Sequence, residues 1–256
     1  FASCSYLGLE IDPRVKMGIV DATSRQGASF IISRAYASSP LFERFERKLS
    51  QIMDAPVVVT PSTTLGTLSF MQTFINEGDI VVLDESVHNS VQLTAATVGK
   101  NGGHVETIPH NDLDALVRLC EQQEVSGKRL WYCIDGIYSM HGDFAPIHDI
   151  IALLDKYPNL YCYADDAHGM SMLGTNGRGY VLGEQESLHP KMVVAVSLSK
   201  AFGMGTGGAV VLPHEEWRRM LRTCGPTLIF STPIPPPMLG AGIALADIHL
   251  SDEIEQ

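Results

Sequence analysis

The chain has 256 residues, 45% hydrophobic and 18% charged, enough apolar material for one substantial core and too much for a disordered chain. Its formal net charge of −11 argues against a surface built to neutralise phosphates or anionic lipid, so neither nucleic acid nor a membrane is expected as a partner. The five scattered cysteines, Cys4, Cys120, Cys133, Cys162 and Cys224, form no CxxC pair and read as reduced thiols rather than a disulfide framework or a zinc site. A cytoplasmic or other reducing compartment is expected, and no metal.

The chain begins at Phe1 without a methionine and stops inside a helix-like stretch, 239–256. It therefore reads as a piece of a longer protein, and a targeting segment ahead of it stays open. No apolar run is long enough to span a bilayer, because prolines break the stretch at 233–248.

In chain order, residues 1–50 read as a segment leading into a large domain. Strands are expected at 56–60, 79–84, 104–108, 129–135, 160–166, 193–197 and 208–213, each a short β-branched run. Helices fill the gaps at 64–76, 87–98, 111–124, 146–156 and 214–223, with Asn111 or Asp112 capping the third. Strands alternating with helices make an α/β chain around a mainly parallel seven-stranded sheet flanked by helices. Ligands of such sheets collect at the carboxyl ends of the strands. The proline cluster "STPIPPPM" (231–238) marks a boundary, with 51–235 as the large domain and 236–256 opening a helix toward whatever follows.

Two stretches lie where that rule puts a ligand. In "SLSKAFGMGTGG" (197–208), Gly203, Gly205 and Gly208 satisfy GxGxxG, but a dinucleotide loop opens a helix and here a strand-like run follows. The notable residue is Lys200 itself. At the end of another buried strand, "YADDAHG" (163–169) carries Asp165, Asp166 and His168, 35 residues before Lys200 in the case of Asp165. A carboxylate at such an edge needs a cation to meet it, and a protonated pyridine nitrogen would serve. The plainer readings remain: a lysine in a glycine-rich loop, a stray histidine, and simple capping by Ser62 in "PSTTLGTL" (61–68).

"DDAHG", "GTNGRG" and "SLSKAFGMGTGG" together resemble the α-oxoamine synthase family, fold type I enzymes that use pyridoxal 5′-phosphate to join an amino acid to an acyl thioester. "SYLGLE" (5–10), "SR" (33–34), "DESVHNS" (84–90), "DGIYSMHGDFAPI" (135–147) and "FSTPIPP" (230–236) follow in the family's order, so the resemblance covers nearly the whole chain. It implies that Lys200 holds the cofactor as a Schiff base and shuttles the substrate α-proton. It implies that Asp165 pairs with the pyridinium nitrogen, with Asp166 structural. His168 and Ser139 would lie near the ring's phenolic oxygen, and His88 against the ring face. Thr63, Thr64 and Ser197 would hold the phosphate at a helix N-terminus, and Thr232 would reach the phosphate of the partner subunit in a homodimer.

The family's phosphate contact is a Ser-Gly-aromatic sequence, where Thr63 and Thr64 stand here. The histidine of its "HxxLE" stretch is Phe42 here. The small C-terminal domain, with its carboxylate-clamping arginine, lies beyond the chain. The implied reaction is decarboxylative condensation of an amino acid with an acyl-CoA or acyl-carrier-protein thioester to an aminoketone. The segments "FASCSYLGLE", "VVVTPSTT" and "SVHNSV" look less like the biotin-pathway and threonine-pathway members than like a divergent branch, one that includes the condensing domain of the saxitoxin starting enzyme. An aminotransferase using the same lysine and aspartate, or a cofactor-holding subunit of a heterodimeric synthase, stays open beside this reading.

Overall fold

The computed structural model describes residues 3–30, 32–100, 102–123, 126–251 and 253–254. Its helices are α1 (Pro13–Gln26), α2 (Pro40–Met53), α3 (Thr63–Phe74), α4 (Asn89–Lys100), α5 (Leu113–Gln123), α6 (Ile147–Lys156), α7 (Tyr180–Gly183), α8 (Glu215–Cys224), α9 (Pro226–Phe230) and α10 (Pro236–His249). Its strands are β1 (Val57–Thr60), β2 (Ile80–Asp84), β3 (His104–Ile108), β4 (Leu130–Asp135), β5 (Ile137–Tyr138), β6 (Asp143–Phe144), β7 (Leu160–Asp165), β8 (Met192–Ser197) and β9 (Gly208–Val211). All but β5 and β6, which pair as a small antiparallel hairpin, join one seven-stranded sheet in the order β1-β9-β8-β7-β4-β2-β3. The seven strands expected from the sequence are these seven. Only β9 runs antiparallel to its neighbours.

Alternation along each strand divides the core into two layers. Val59, Tyr132, Cys162 and Val194 belong to the cluster on one face, with residues of α2, α5, α6 and α10. Val58, Trp131, Tyr163 and Val193 belong to the other, with residues of α3, α4 and α8. Phe70 of α3 stacks on Tyr163 at 5.2 Å and meets Trp131 edge-on at 5.4 Å, which fixes α3 over the middle of the sheet.

The opening segment holds two helices not assigned from the sequence, although α2 carries Phe42, Phe45, Leu49, Ile52 and Met53 on one buried face. Asp12 and Ser39 cap α1 and α2, each followed by a proline at the first helical position, a start signal independent of apolar spacing. In α5 the cap is Asp112, which accepts from the amide of Ala115 at 2.9 Å. Asn111 instead takes a left-handed φ of 54°.

Helices α1 and α10 cross at paired glycines. A Cβ on Gly240 would lie 2.1 Å from the Gly18 carbonyl oxygen, and one on Gly18 2.5 Å from that of Gly240. Gly240→Ala is therefore expected to push the helices apart and cost about 1–3 kcal/mol, read as a lower denaturation midpoint. An unchanged midpoint would show that the crossing relaxes freely.

Three cysteines, Cys120, Cys133 and Cys162, are buried, and all five are free; burial pushes the Cys133 and Cys162 thiols well up. Among the described residues no helix is long and apolar enough to cross a membrane, and no group of three His, Cys, Asp or Glu could hold a metal ion.

Candidate active site

The parallel strands deliver their carboxyl ends to one edge, so Asp84, Asp135, Asp165 and Ser197 finish β2, β4, β7 and β8 side by side. Strand β1 ends at the same edge and leads through Ser62 into α3. A cavity of about 190 Å³ opens there, lined by Lys200, Asp165 and His168, with Thr63, Thr64, His88 and Ser197 on its other walls. Seven of the nine residues expected at the site thus meet in one place. Ser139, exposed in the turn between β5 and β6, does not line it, nor does Thr232, exposed beyond α9.

The glycines after Lys200 serve a turn. Gly203, Gly205 and Gly207 adopt φ of 85°, 73° and 89°, which non-glycine residues rarely tolerate, and the chain reverses into antiparallel β9. A Cβ on Gly208 would fall 2.4 Å from the Thr63 amide nitrogen, so its absence lets β9 run beneath the start of α3. This is the geometry of a lysine-bearing turn, not of a dinucleotide loop.

Burial governs the charges. The Lys200 amine lies 2.7 Å from His168 Nε2, and desolvation pushes its pKa below the ordinary lysine value, against the pull of Asp165. Desolvation also pushes His168 down to about 4, helped by Lys200 and His88. His168 is accordingly a neutral imidazole in the physiological range; an NMR titration is expected to find no ring protonation between about pH 5 and 8, and a midpoint near 6.5 would contradict this. Asp165 is 6% exposed. Desolvation raises its pKa although the Ala167 amide donates to Oδ1 at 3.1 Å and Lys200 stands nearby. Here is a carboxyl group in need of a cation.

Asp135 was not expected at the site. It is in register with Asp165, and burial together with that carboxylate pushes it up to about 8. Its Oδ1 accepts the His88 backbone amide at 3.0 Å, which anchors the loop that presents the imidazole. The His88 Nδ1 accepts from the Ser90 amide at 3.2 Å and lies 2.8 Å from Ser90 Oγ, leaving the ring hydrogen on Nε2. The sequence signal for Asp135 was that it ends its strand as Asp165 does, masked by the Asp-Gly pair, which reads as a turn.

On the opposite wall, Ser62 Oγ caps α3 by accepting from the Leu65 amide at 3.2 Å. The first-turn amides of Thr63 and Thr64 have no acceptor within the helix, and the positive end of its dipole faces the cavity. Ser197 Oγ lies 3.0 Å from Ser199 Oγ close by.

Two neighbours are structural. Asp166 accepts the Val181 amide at 3.0 Å and sits against Gly136 and Gly169, where a Cβ would come within 2.5 and 2.1 Å of its carboxylate. Phe42 is buried beneath the Arg34 guanidinium, 3.9 Å from its ring centre, and Arg34 pairs with Glu46 at 2.9 Å. The position where a histidine was expected is thus part of the core.

These residues fit pyridoxal phosphate as a set. They offer a primary amine of lowered pKa, a buried carboxyl group lacking a full counter-charge, and free amides at a helix N-terminus for a dianion.

Comparison with known proteins agrees with this geometry. The 8-amino-7-oxononanoate synthase of Symbiobacterium thermophilum is 32% identical over 259 residues, covering 100% of this chain and 62% of that protein. The serine palmitoyltransferase of Sphingomonas wittichii superposes with a TM-score of 0.87 at 22% identity, over 97% of this chain and 61% of that one. A serine palmitoyltransferase from S. paucimobilis with bound PLP superposes with a TM-score of 0.83 at 22% identity, over 98% and 63%. At such identities the two superpositions establish the fold. The chain thus spans about 62% of the length of the curated relative it matches. None of these relatives supports the divergent branch suggested by the opening residues. The aminotransferase class I and II model matches residues 32–252, and the chain belongs to that family.

Proposed function

We propose that this chain is the large, cofactor-binding part of an α-oxoamine synthase, which uses pyridoxal 5′-phosphate to condense an amino acid with an acyl thioester and releases the amino acid's carboxylate as carbon dioxide. The observation that carries the reading is the Lys200 amine, in contact with His168 and within the electrostatic reach of the buried Asp165, at the sheet's carboxyl edge. The kinship with 8-amino-7-oxononanoate synthases favours condensation over transamination.

When bound, pyridoxal phosphate supplies an electron sink for the charge that develops at the substrate α-carbon. Lys200 holds the cofactor through its amine and, when free, takes and returns the α-proton; burial lowers its pKa, the direction both tasks need. Asp165 would accept a hydrogen bond from the protonated ring nitrogen, whose charge would supply the counter-charge its desolvated carboxylate lacks. His168 stays neutral and orients groups around the lysine, while His88 provides an aromatic wall held in place through Asp135. Thr63, Thr64 and Ser197 take the phosphate.

Substrates, partners and domain limits belong to the same proposal. The amino acid enters the cavity with an acyl-CoA or carrier-protein thioester as second substrate. The large domain is centred on residues 51–235, with α2 and α10 packed into its core, and α10 leads toward a further one. Thr232, exposed on this chain, would serve a second copy in a homodimer.

The test follows both products in the full-length protein loaded with pyridoxal phosphate and offered a panel of amino acids with acyl thioesters. Thiol and carbon dioxide released in equal amounts support the reading. Conversion of a 2-oxo acid to an amino acid without thiol release would make it an aminotransferase.

A further inference from the structure

The segment ahead of α1 crosses the site at one point. Tyr6 is separated from His168 by 162 residues, yet its hydroxyl lies 2.9 Å from His168 Nδ1, on the far side of the ring from the 2.7 Å contact between Nε2 and Lys200. The segment is fastened where it crosses. Ser5 Oγ donates to Glu10 at 2.6 Å, and Asp12 caps α1. Leu9 and Glu10 pack on Gly203 of the lysine turn, where a Cβ would meet Leu9 Cβ at 3.0 Å and the Glu10 nitrogen at 3.1 Å. Tyr6 is 42% exposed, so this chain of three groups runs from the half-buried amine to water.

We propose that Tyr6, His168 and Lys200 form a proton relay that discharges Lys200 to solvent. With Lys200 as an ammonium, Nζ donates to Nε2 and Nδ1–H donates to the Tyr6 oxygen. Three hydrogens then move one step each: from Nζ to Nε2, from Nδ1 to the Tyr6 oxygen, and the phenol's original hydrogen to a water or buffer base. Lys200 is left a neutral amine, His168 the other neutral tautomer and Tyr6 a phenol again. One proton has left, and only Lys200 has changed charge.

The surroundings suit this. His168 carries no charge of its own, and burial raises the Tyr6 phenol, so neither group traps the proton. Lys200 is faced by Asp165 from β7, Asp135 from β4 and Cys4 from the same segment as Tyr6, and His168 is faced by His88 from the start of α4. Lys200 can join the cofactor's aldehyde only as an amine, and the relay brings it to that state. Tyr6 acts through His168 and is a positioning residue.

The use of the relay rests on the function proposed for Lys200, but its test needs no cofactor. In ¹⁵N NMR spectra of the cofactor-free protein, the His168 ring hydrogen is expected on Nδ1 while Lys200 is an ammonium and on Nε2 once it is an amine, both changing at one midpoint. In Tyr6→Phe, hydrogen exchange between the Lys200 amine and water is expected to slow by about tenfold or more. A tautomer that ignores the Lys200 titration, or exchange unchanged in Tyr6→Phe, would overturn the relay and leave the cofactor site standing.

Discussion

Lys200→Ala is expected to leave a folded protein that no longer absorbs visible light when pyridoxal phosphate is added, and to lower condensation to the background rate. The cavity holds one lysine, and no other side chain lining it carries a primary amine that could join the cofactor's aldehyde. The substitution removes little packing, since the side chain is only partly buried, so circular dichroism should match the parent. The amides at the start of α3 proposed to hold the phosphate remain, and weak, dialysable cofactor binding should persist. Loss of more than about 10³-fold in rate is the scale on which a nucleophile that is also a general base acts. A variant that kept both colour and activity would remove Lys200 from the chemistry.

Asp165→Ala should separate binding from reactivity. Lys200 and the α3 amides still hold the cofactor, so colour is expected to stay. What disappears is the carboxylate proposed to keep the ring nitrogen protonated, and with it the stabilisation of charge at the substrate α-carbon. Exchange of the amino acid's α-hydrogen with deuterated water should fall by about 10²–10³-fold, the range for removing one preorganised electrostatic partner. Asp165→Asn keeps the shape without the charge and should fall by a similar amount. If α-hydrogen exchange ran at the parent rate in both variants, Asp165 would be a structural residue of β7 and the pairing would be wrong.

Much of this site was legible because a parallel sheet turns sequence position into spatial position. Thr63, His88, Asp165, Ser197 and Lys200 are spread along the chain, but each lies at or just past the carboxyl end of a β-branched run, and the topology brings those ends to one edge. What escaped depends on contacts that no local pattern encodes. Asp135 matters through its register with Asp165 and its bond to the His88 amide. Tyr6 matters through a contact spanning 162 residues. The hairpin of β5 and β6 has two residues per strand, too few to show a period, and it carries Ser139 away from the cavity wall. Helices α1 and α2 went unassigned although Asp12-Pro13 and Ser39-Pro40 are start signals for both and α2 has an apolar stripe from Phe42 to Met53.

Whether Lys200 is the covalent anchor of the cofactor can be read directly. The protein is incubated with pyridoxal phosphate, reduced with borohydride, digested and mapped by mass spectrometry. One pyridoxyl group per chain is expected, on the peptide that carries Lys200 and on that residue. Label spread over surface lysines, or fixed on another lysine with Lys200 unmodified, would contradict it.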